Sequence, residues 1–172
     1  MSRKVILFIA TSLDGFIAKE DDDLQWLYDT VGEGDNGYSE MYQTVDTTIM
    51  GKRTYDYVME HTEAFPYPDK KCYVFTTSEQ ESTEHVEFVK EDVVAFTKRL
   101  KEQEGSNIWM IGGAGILDVF MKENLIDEYM ITVTPTILGT GIPLFKEKNP
   151  EIALTLLETK RFGQFVQLHY IR

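Results

Sequence analysis

The sequence predicts an α/β sandwich on a central sheet whose middle strands run parallel and whose C-terminal strands run antiparallel. Three observations lead there. Short apolar runs without alternation, such as Val5 to Thr11 (VILFIAT), recur along the chain and read as strands buried on both faces. Segments with helical spacing follow several of these runs at once. The chain then ends in a β-rich stretch with no helix between its strands, the pattern of a sheet finished by antiparallel pairing.

Taken in order, VILFIAT is a first core strand, and SLDGFIA follows it with a kink at Asp14-Gly15. KEDDD and TVGEGDNG are polar and turn-rich, and they bracket a short helical turn in LQWLYD. TVDTTIMG reads as a second strand ending at Gly51, and KRTYDYVMEH as a helix with Tyr55, Val58 and Met59 on one side. KKCYVFTTS is a third strand ending in hydroxyl residues. EDVVAFTKRLKEQEG is an amphipathic helix with Val93, Val94, Phe96 and Leu100 inside and Gly105 as its stop. NIWMIGG is a fourth strand and AGILDVFMKEN the helix after it. IDEYMITVTPTIL is a long β-rich run, LGTGIPLF a glycine-containing loop, and IALTLLETKRFGQFVQLHYIR an antiparallel pair with a tight connection near Gly163. No repeat or linker interrupts residues 1–172, which read as one domain.

Composition narrows the function. Seventeen basic against 29 acidic residues give a net charge of −12, which argues against nucleic acid or an anionic membrane as partner. A phosphorylated small molecule is still accommodated where a few cations or free N–H groups converge. Cys72 is the single cysteine, so no intrachain disulfide forms, and its apolar setting reads as core. The N-terminal apolar run is too short for a signal peptide, and no segment approaches the ~20 residues of a membrane span, so a cytoplasmic location is expected. His61, His85 and His169 lack metal-ligand spacing, and Ser12 and Ser39 lack a nucleophile signature.

Three strand ends share one chemical theme. IMGKRTY delivers Gly51, Lys52, Arg53 and Thr54 to a helix N-terminus, VFTTS delivers Thr76, Thr77 and Ser78, and MIGGAG delivers Gly112, Gly113 and Gly115 to another helix N-terminus. In parallel α/β sheets a ligand lies beyond the carboxyl ends of the strands. Two helix N-termini with free N–H groups suit a ligand with two phosphate regions, and Lys52 and Arg53 suit an extra phosphate such as that of NADP. GGAG is not the G-x-G-x-x-G fingerprint, so a conventional Rossmann site is not expected.

SLDGFIA, MGKRTY, FTTS and IGGAGI, in that order, resemble the dihydrofolate reductase-like fold, a three-layer α/β/α arrangement. VTPTILGTGIPLF is similar to the RibD C-terminal branch, the reductase domain of riboflavin biosynthesis. The resemblance covers Val5 to about Ile171. It implies a cis peptide at Gly112-Gly113 beneath the pyrophosphate of NADPH, with Ala114, Gly115 and Ile116 opening the helix. It also implies that Gly51, Lys52, Arg53 and Thr54 grip phosphates, that Thr76, Thr77 and Ser78 meet the adenosine side, and that Ala10 and Ile17 flank the nicotinamide. Lys52 stands where the family usually has arginine, and lysine lacks the bidentate fork.

The implied chemistry is hydride transfer from NADPH to a C=N or C=O carbon, as in reduction of 5-amino-6-(5-phosphoribosylamino)uracil. Asp23, Asp29, Asp35 and Glu40 are the acids available to the substrate side, with Asp35 and Asp23 as catalytic candidates, and each also reads as a solvated charge. Asp14 reads first as the turn residue of SLDG and second as a substrate contact. Trp26 reads as pocket wall or as packing. A dihydrofolate reductase and a non-catalytic nucleotide-binding module of the same fold are the alternatives. No zinc deaminase signature precedes the domain. A homodimer is expected from the resemblance and from the apolar strand containing Phe165, Val166, Leu168 and Tyr170.

Overall fold

The computed structural model describes residues 2–172. Strands β1 (Val5–Thr11), β3 (Val45–Gly51), β4 (Lys71–Phe75), β5 (Val86–Val89), β6 (Asn107–Gly112), β7 (Glu128–Val133), β9 (Thr155–Phe162) and β10 (Phe165–Ile171) form one sheet, in the order β5-β4-β3-β6-β1-β7-β10-β9. The first six in that order are mutually parallel, and β10 pairs antiparallel with both β7 and β9. Two short strands, β2 (Phe16–Ala18) and β8 (Ile142–Pro143), make a separate antiparallel pair. The helices are α1 (Gln25–Tyr28), α2 (Tyr38–Tyr42), α3 (Lys52–His61), α4 (Val93–Glu102) and α5 (Ala114–Lys122).

The mixed sheet predicted from sequence is the one observed, and the fold adds elements that the sequence did not announce: the β2–β8 pair, whose second strand lies in the segment read as a loop, together with β5 and α2. β5 lies in HVEFV, which is short and half polar because it is an edge strand with one neighbour. α2 is a single turn-and-a-half after a glycine-rich loop, too brief to show a 3.6-residue period.

The alternation along each strand explains the three layers. On β1, Val5 and Leu7 point to one face, where they meet Ile49, Met110 and the helix residues Phe96, Leu100, Leu117 and Phe120. Ile6 points to the other face, with Met50, Val74 and Trp109, beneath Met41 of α2 and the loop residues Phe65 and Tyr67. Because both faces are covered, the central strands read as continuous apolar runs. β9 is the opposite case. Its edge position leaves most of it exposed, and Glu158, Lys160 and Arg161 discourage further strand addition.

The amino-end edge of the sheet is fastened by ion pairs. Arg3, almost fully buried, donates to Asp46, to Thr47 Oγ1 at 2.6 Å and to the Ser106 carbonyl at 2.6 Å, tying together the entries to β1, β3 and β6. Asp46 also accepts the Ser106 N–H at 2.7 Å. Gly105 adopts φ +147 beside this knot, and a Cβ there would lie 2.6 Å from Asp46 Oδ2. Asp127 in turn binds Lys101 Nζ at 2.7 Å and the Val5 N–H at 2.8 Å.

Replacing Arg3 with methionine keeps the apolar stem and removes the fork, leaving Asp46 and the Ser106 carbonyl short of donors. The expected loss is about 3 kcal/mol of unfolding free energy, the low end for breaking a buried pair because Asp46 is partly exposed. Urea denaturation reads it directly, and an unshifted midpoint would show that the knot contributes nothing.

Candidate functional site

The carboxyl ends of β1, β3, β4 and β6 come to the same edge of the sheet. Gly51 is in register with Phe75, Met50 with Gly112, and Ala10 with Thr132 of β7. At this edge α3 and α5 begin side by side, so close that a Cβ on Gly51 would lie 3.8 Å from both the Gly113 nitrogen and Ile116 Cγ2. The Gly112-Gly113 peptide is cis, as the resemblance implied. Gly112 has φ +134, and a Cβ on Gly113 would stand 2.9 Å from Thr54 Oγ1. The double glycine is therefore needed first by the chain itself, to let Thr54 of one helix press against the junction that opens the other.

The two helix N-termini are alike in what they lack. Neither Gly51 nor Gly113 can supply a side-chain cap, and neither first turn carries an acidic residue. In α4, by contrast, Asp92 caps the helix by accepting the Ala95 N–H at 2.8 Å. Two adjacent uncapped N-termini leave a group of N–H donors and two positive dipole ends at one place, the arrangement that binds anionic oxygens. Ala114 and Gly115 form the first turn of α5, and Gly115 is exposed.

The FTTS segment lies next to Gly51. It is a self-bonded turn: Thr76 Oγ1 accepts the Ser78 N–H at 3.2 Å and lies 3.2 Å from Ser78 Oγ, while Thr77 is exposed. Lys52 donates to Asp56 Oδ1 at 2.5 Å one turn along α3, and Arg53 pairs with Asp22 from the acidic run.

The opposite wall begins at the end of β1. Ala10 and Ile17 are half-buried there. Asp14 accepts Ser12 Oγ–H at 2.6 Å, Leu138 N–H at 3.1 Å and Gly139 N–H at 2.8 Å, so its carboxylate latches the SLDG turn to the loop after β7. Trp26 is buried in α1 and donates Nε1–H to the Asp23 carbonyl at 3.1 Å. Asp23 accepts the Gln25 N–H at 3.3 Å and pairs with Lys19 at 3.4 Å. Asp35 heads α2, accepting the Ser39 N–H at 2.9 Å and the Gly37 N–H at 3.2 Å. The Ser39 side chain first, and these N–H groups after it, hold the Asp35 carboxyl below its ordinary value. Asp23 and Asp35 thus sit in two separate turns, and no hydrogen bond or ion pair joins them among the described residues.

Sequence reasoning missed an aromatic wall on the same face as Ala10. Tyr38 packs edge-on against Phe8 at 6.4 Å and Trp109 at 5.8 Å, and stacks on Tyr42 at 5.3 Å. Burial, and after it the charge of Asp69, pushes the Tyr38 hydroxyl up to about 12, so it keeps its proton at neutral pH. Phe8 was findable, since the period of two along a strand puts it on the Ala10 face. Tyr38 carried no such signal, because only folding brings α2 over that face.

The Asp14 latch has a pH signature. Hydrogen bonding, from Ser12 first and then from the Leu138 and Gly139 N–H groups, lowers its pKa from 3.8. A depressed folded-state value stabilises the fold above the unfolded value and loses that contribution as pH falls through the folded one. Asp14→Asn is therefore expected to lower Tm at neutral pH, with the gap to wild type closing below about pH 4. A gap that is constant from pH 7 to 3 would rule the latch out.

The chain is similar to several known proteins. The uncharacterized protein YwjB of Bacillus subtilis (strain 168) is 58% identical over 173 residues, covering 100% of this chain and 99% of its own. A solved structure named for riboflavin biosynthesis, from Shewanella sp. PV-4, superposes with a TM-score of 0.88 at 32% identity, covering 100% of this chain and 99% of that one. Dihydrofolate reductase from Enterococcus faecalis, complexed with NADP(H), superposes with a TM-score of 0.67 at 14% identity over 100% of this chain and 99% of its own, which shows the shared fold. Residues 3–168 match the family described as the RibD C-terminal domain, and the chain belongs to that family.

Proposed function

We propose that this protein is an NADPH-dependent reductase of the RibD C-terminal type, acting on a small heterocycle or on a carbonyl or imine carbon. Gly115 carries this reading. A glycine in a helix is disfavoured relative to alanine because it loses more backbone entropy, by up to about 1 kcal/mol at interior positions. Gly115 has no positive φ, and an added Cβ would meet nothing within 4 Å among the described residues. The chain's own packing does not ask for glycine there, so the bare position serves something that approaches from outside. A pyrophosphate lying against two uncapped helix N-termini meets that description.

The residues present fit such a cofactor. Gly112, Gly113, Ala114, Gly115 and Ile116 would hold the pyrophosphate from α5, with Gly51 and Thr54 from α3, and Lys52 and Arg53 at the start of α3 would meet the 2′-phosphate. Thr76, Thr77 and Ser78 would face the adenosine side, and Ala10 and Ile17 would border the nicotinamide. When bound, NADPH supplies the hydride. The chain's own part is to orient and to exclude water. Phe8 and Tyr38, half-buried and packed edge-on over the buried Trp109, offer an apolar aromatic wall against which a heterocycle packs.

Asp14 and Trp26 bound the substrate side in this reading, and Asp23 and Asp35 are its candidate carboxylates. Asp35 is held ionised, so at neutral pH it is suited to accept a hydrogen bond from a ring N–H and to orient the substrate. We take the substrate to be of the 5-amino-6-(5-phosphoribosylamino)uracil kind, in keeping with a Shewanella relative named for riboflavin biosynthesis, and the NADP(H) complex of the Enterococcus reductase supports the cofactor. We read the active unit as one domain over residues 1–172, cytoplasmic and homodimeric. Leu156, Leu157 and Val166, all exposed on the C-terminal hairpin, favour the dimer.

Gly115→Val separates cofactor binding from folding, because the new side chain enters open space. The variant is expected to keep its circular dichroism and Tm while NADPH affinity, followed by tryptophan fluorescence, falls about tenfold or more. Unchanged affinity would move the pyrophosphate elsewhere. Gly113→Val should lose binding too, with Thr54 displaced. A wild-type protein that binds no NADPH at micromolar concentration would end the reductase reading. Binding without NADPH consumption on pyrimidine, dihydrofolate or carbonyl substrates would favour a nucleotide-binding module. Light scattering tests the dimer, and a monomer at high concentration would refute it.

A further inference from the structure

Folding joins two features that stand apart in the sequence, the acidic run Glu20 to Asp23 and the cation pair Lys52-Arg53. Arg53 donates to the Asp22 carboxylate, and Lys52 donates to Asp56. Both cations at the start of α3 therefore already hold a carboxylate before any ligand arrives.

Asp22 is held in place for this contact. It adopts φ +65, a conformation that aspartate and asparagine tolerate better than most residues. A tight turn fixes it: Asp22 donates its N–H to the Lys19 carbonyl at 3.0 Å, and Lys19 donates its own to the Asp23 carbonyl at 3.2 Å. The segment is tethered on the other side as well, where Glu20 accepts Thr140 Oγ1–H at 2.9 Å. Tyr28, further along the same segment, meets Tyr57 of α3, whose hydroxyl is pushed up to about 12 by burial first and then by that contact. The Asp22–Arg53 pair itself lies in solvent, with the Arg53 side chain 76% exposed, so a ligand can exchange for the carboxylate.

Resting on the cofactor placement above, we propose that Asp22 is a specificity-determining residue, whose carboxylate competes with a 2′-phosphate for the Arg53 guanidinium. A phosphate dianion entering at α3 must displace Asp22 and then lies beside the displaced charge and Asp56. An unphosphorylated dinucleotide meets no such competition, and its ribose hydroxyl can donate to a carboxylate. Asp22 thus narrows the discrimination between NADPH and NADH that Lys52 and Arg53 would otherwise provide.

The test measures Kd for NADPH and NADH by tryptophan fluorescence at low ionic strength. It compares wild type with Asp22→Asn, Asp21→Asn, Arg53→Gln and the Asp22→Asn/Arg53→Gln double variant. Asparagine is chosen because it keeps the positive φ and removes only the charge. The expected result is a rise of about two- to five-fold in the NADH-to-NADPH Kd ratio for Asp22→Asn, the range of an exposed ion pair. Asp21→Asn, with the same charge change one residue away, should leave the ratio unmoved, and Asp22→Asn should give no gain once Arg53 is glutamine. An equal rise in Asp21→Asn, or a gain that persists without Arg53, would overturn the proposal in favour of a general charge effect. An unmoved ratio in Asp22→Asn with both dinucleotides still bound would overturn it alone. Binding of neither dinucleotide by any form would overturn the cofactor site and this inference together.

Discussion

The apposition of β3 and β6 at their carboxyl ends is the constraint on which the site depends. Their register sets Gly51 beside Gly113, so that an added Cβ on Gly51 would lie 3.8 Å from the Gly113 nitrogen, and Thr54 Oγ1 closes on the Gly113 side. Any side chain at Gly113 would need the Thr54 hydroxyl to move. The same tightness places two helix N-termini side by side with neither residue able to cap its own helix. Two helix N-termini without side-chain caps, and their dipole ends, are thereby brought to one place by the packing of the sheet.

The sheet is asymmetric from end to end. Its amino-end edge is closed by Arg3–Asp46 and Lys101–Asp127, and by Lys4 Nζ and His169 Nε2 on Glu128 at 2.7 and 3.0 Å. These groups satisfy one another where the chain crosses between layers. The carboxyl-end edge ends instead in glycines, hydroxyls and uncapped helices, which satisfy one another poorly and have capacity for a ligand. The acidity of the chain complicates this edge, because the cations at α3 are taken up by neighbouring carboxylates.

Much of this was legible before folding. VILFIAT and NIWMIGG announced buried strands by running apolar without alternation, TVDTTIMG read as a strand ending at Gly51, and MGKRTY and IGGAGI announced glycine-to-helix corners by composition alone. EDVVAFTKRLKEQEG showed its apolar stripe and its stop. What escaped notice was short or dependent on partners. β5 is four residues at an edge, and α2 is five residues with no measurable period. Tyr38 and Phe8 are 30 residues apart in the chain and meet only because α2 lies across β1.

By itself the sequence determined the fold class, the division into parallel and antiparallel strands, and the three glycine- and hydroxyl-bearing strand ends that meet at one edge of the sheet. Those depend on local periodicity and on the backbone freedom of glycine, both of which are written in consecutive residues. The tertiary structure decided what each charge does. It committed Asp14 to a latch and Asp35 to the turn that leads into α2, and it joined Asp22 to Arg53 across 31 positions of chain. Coulombic and hydrogen-bond partners act through space over a few ångströms, and sequence distance carries no information about which carboxylate will arrive there.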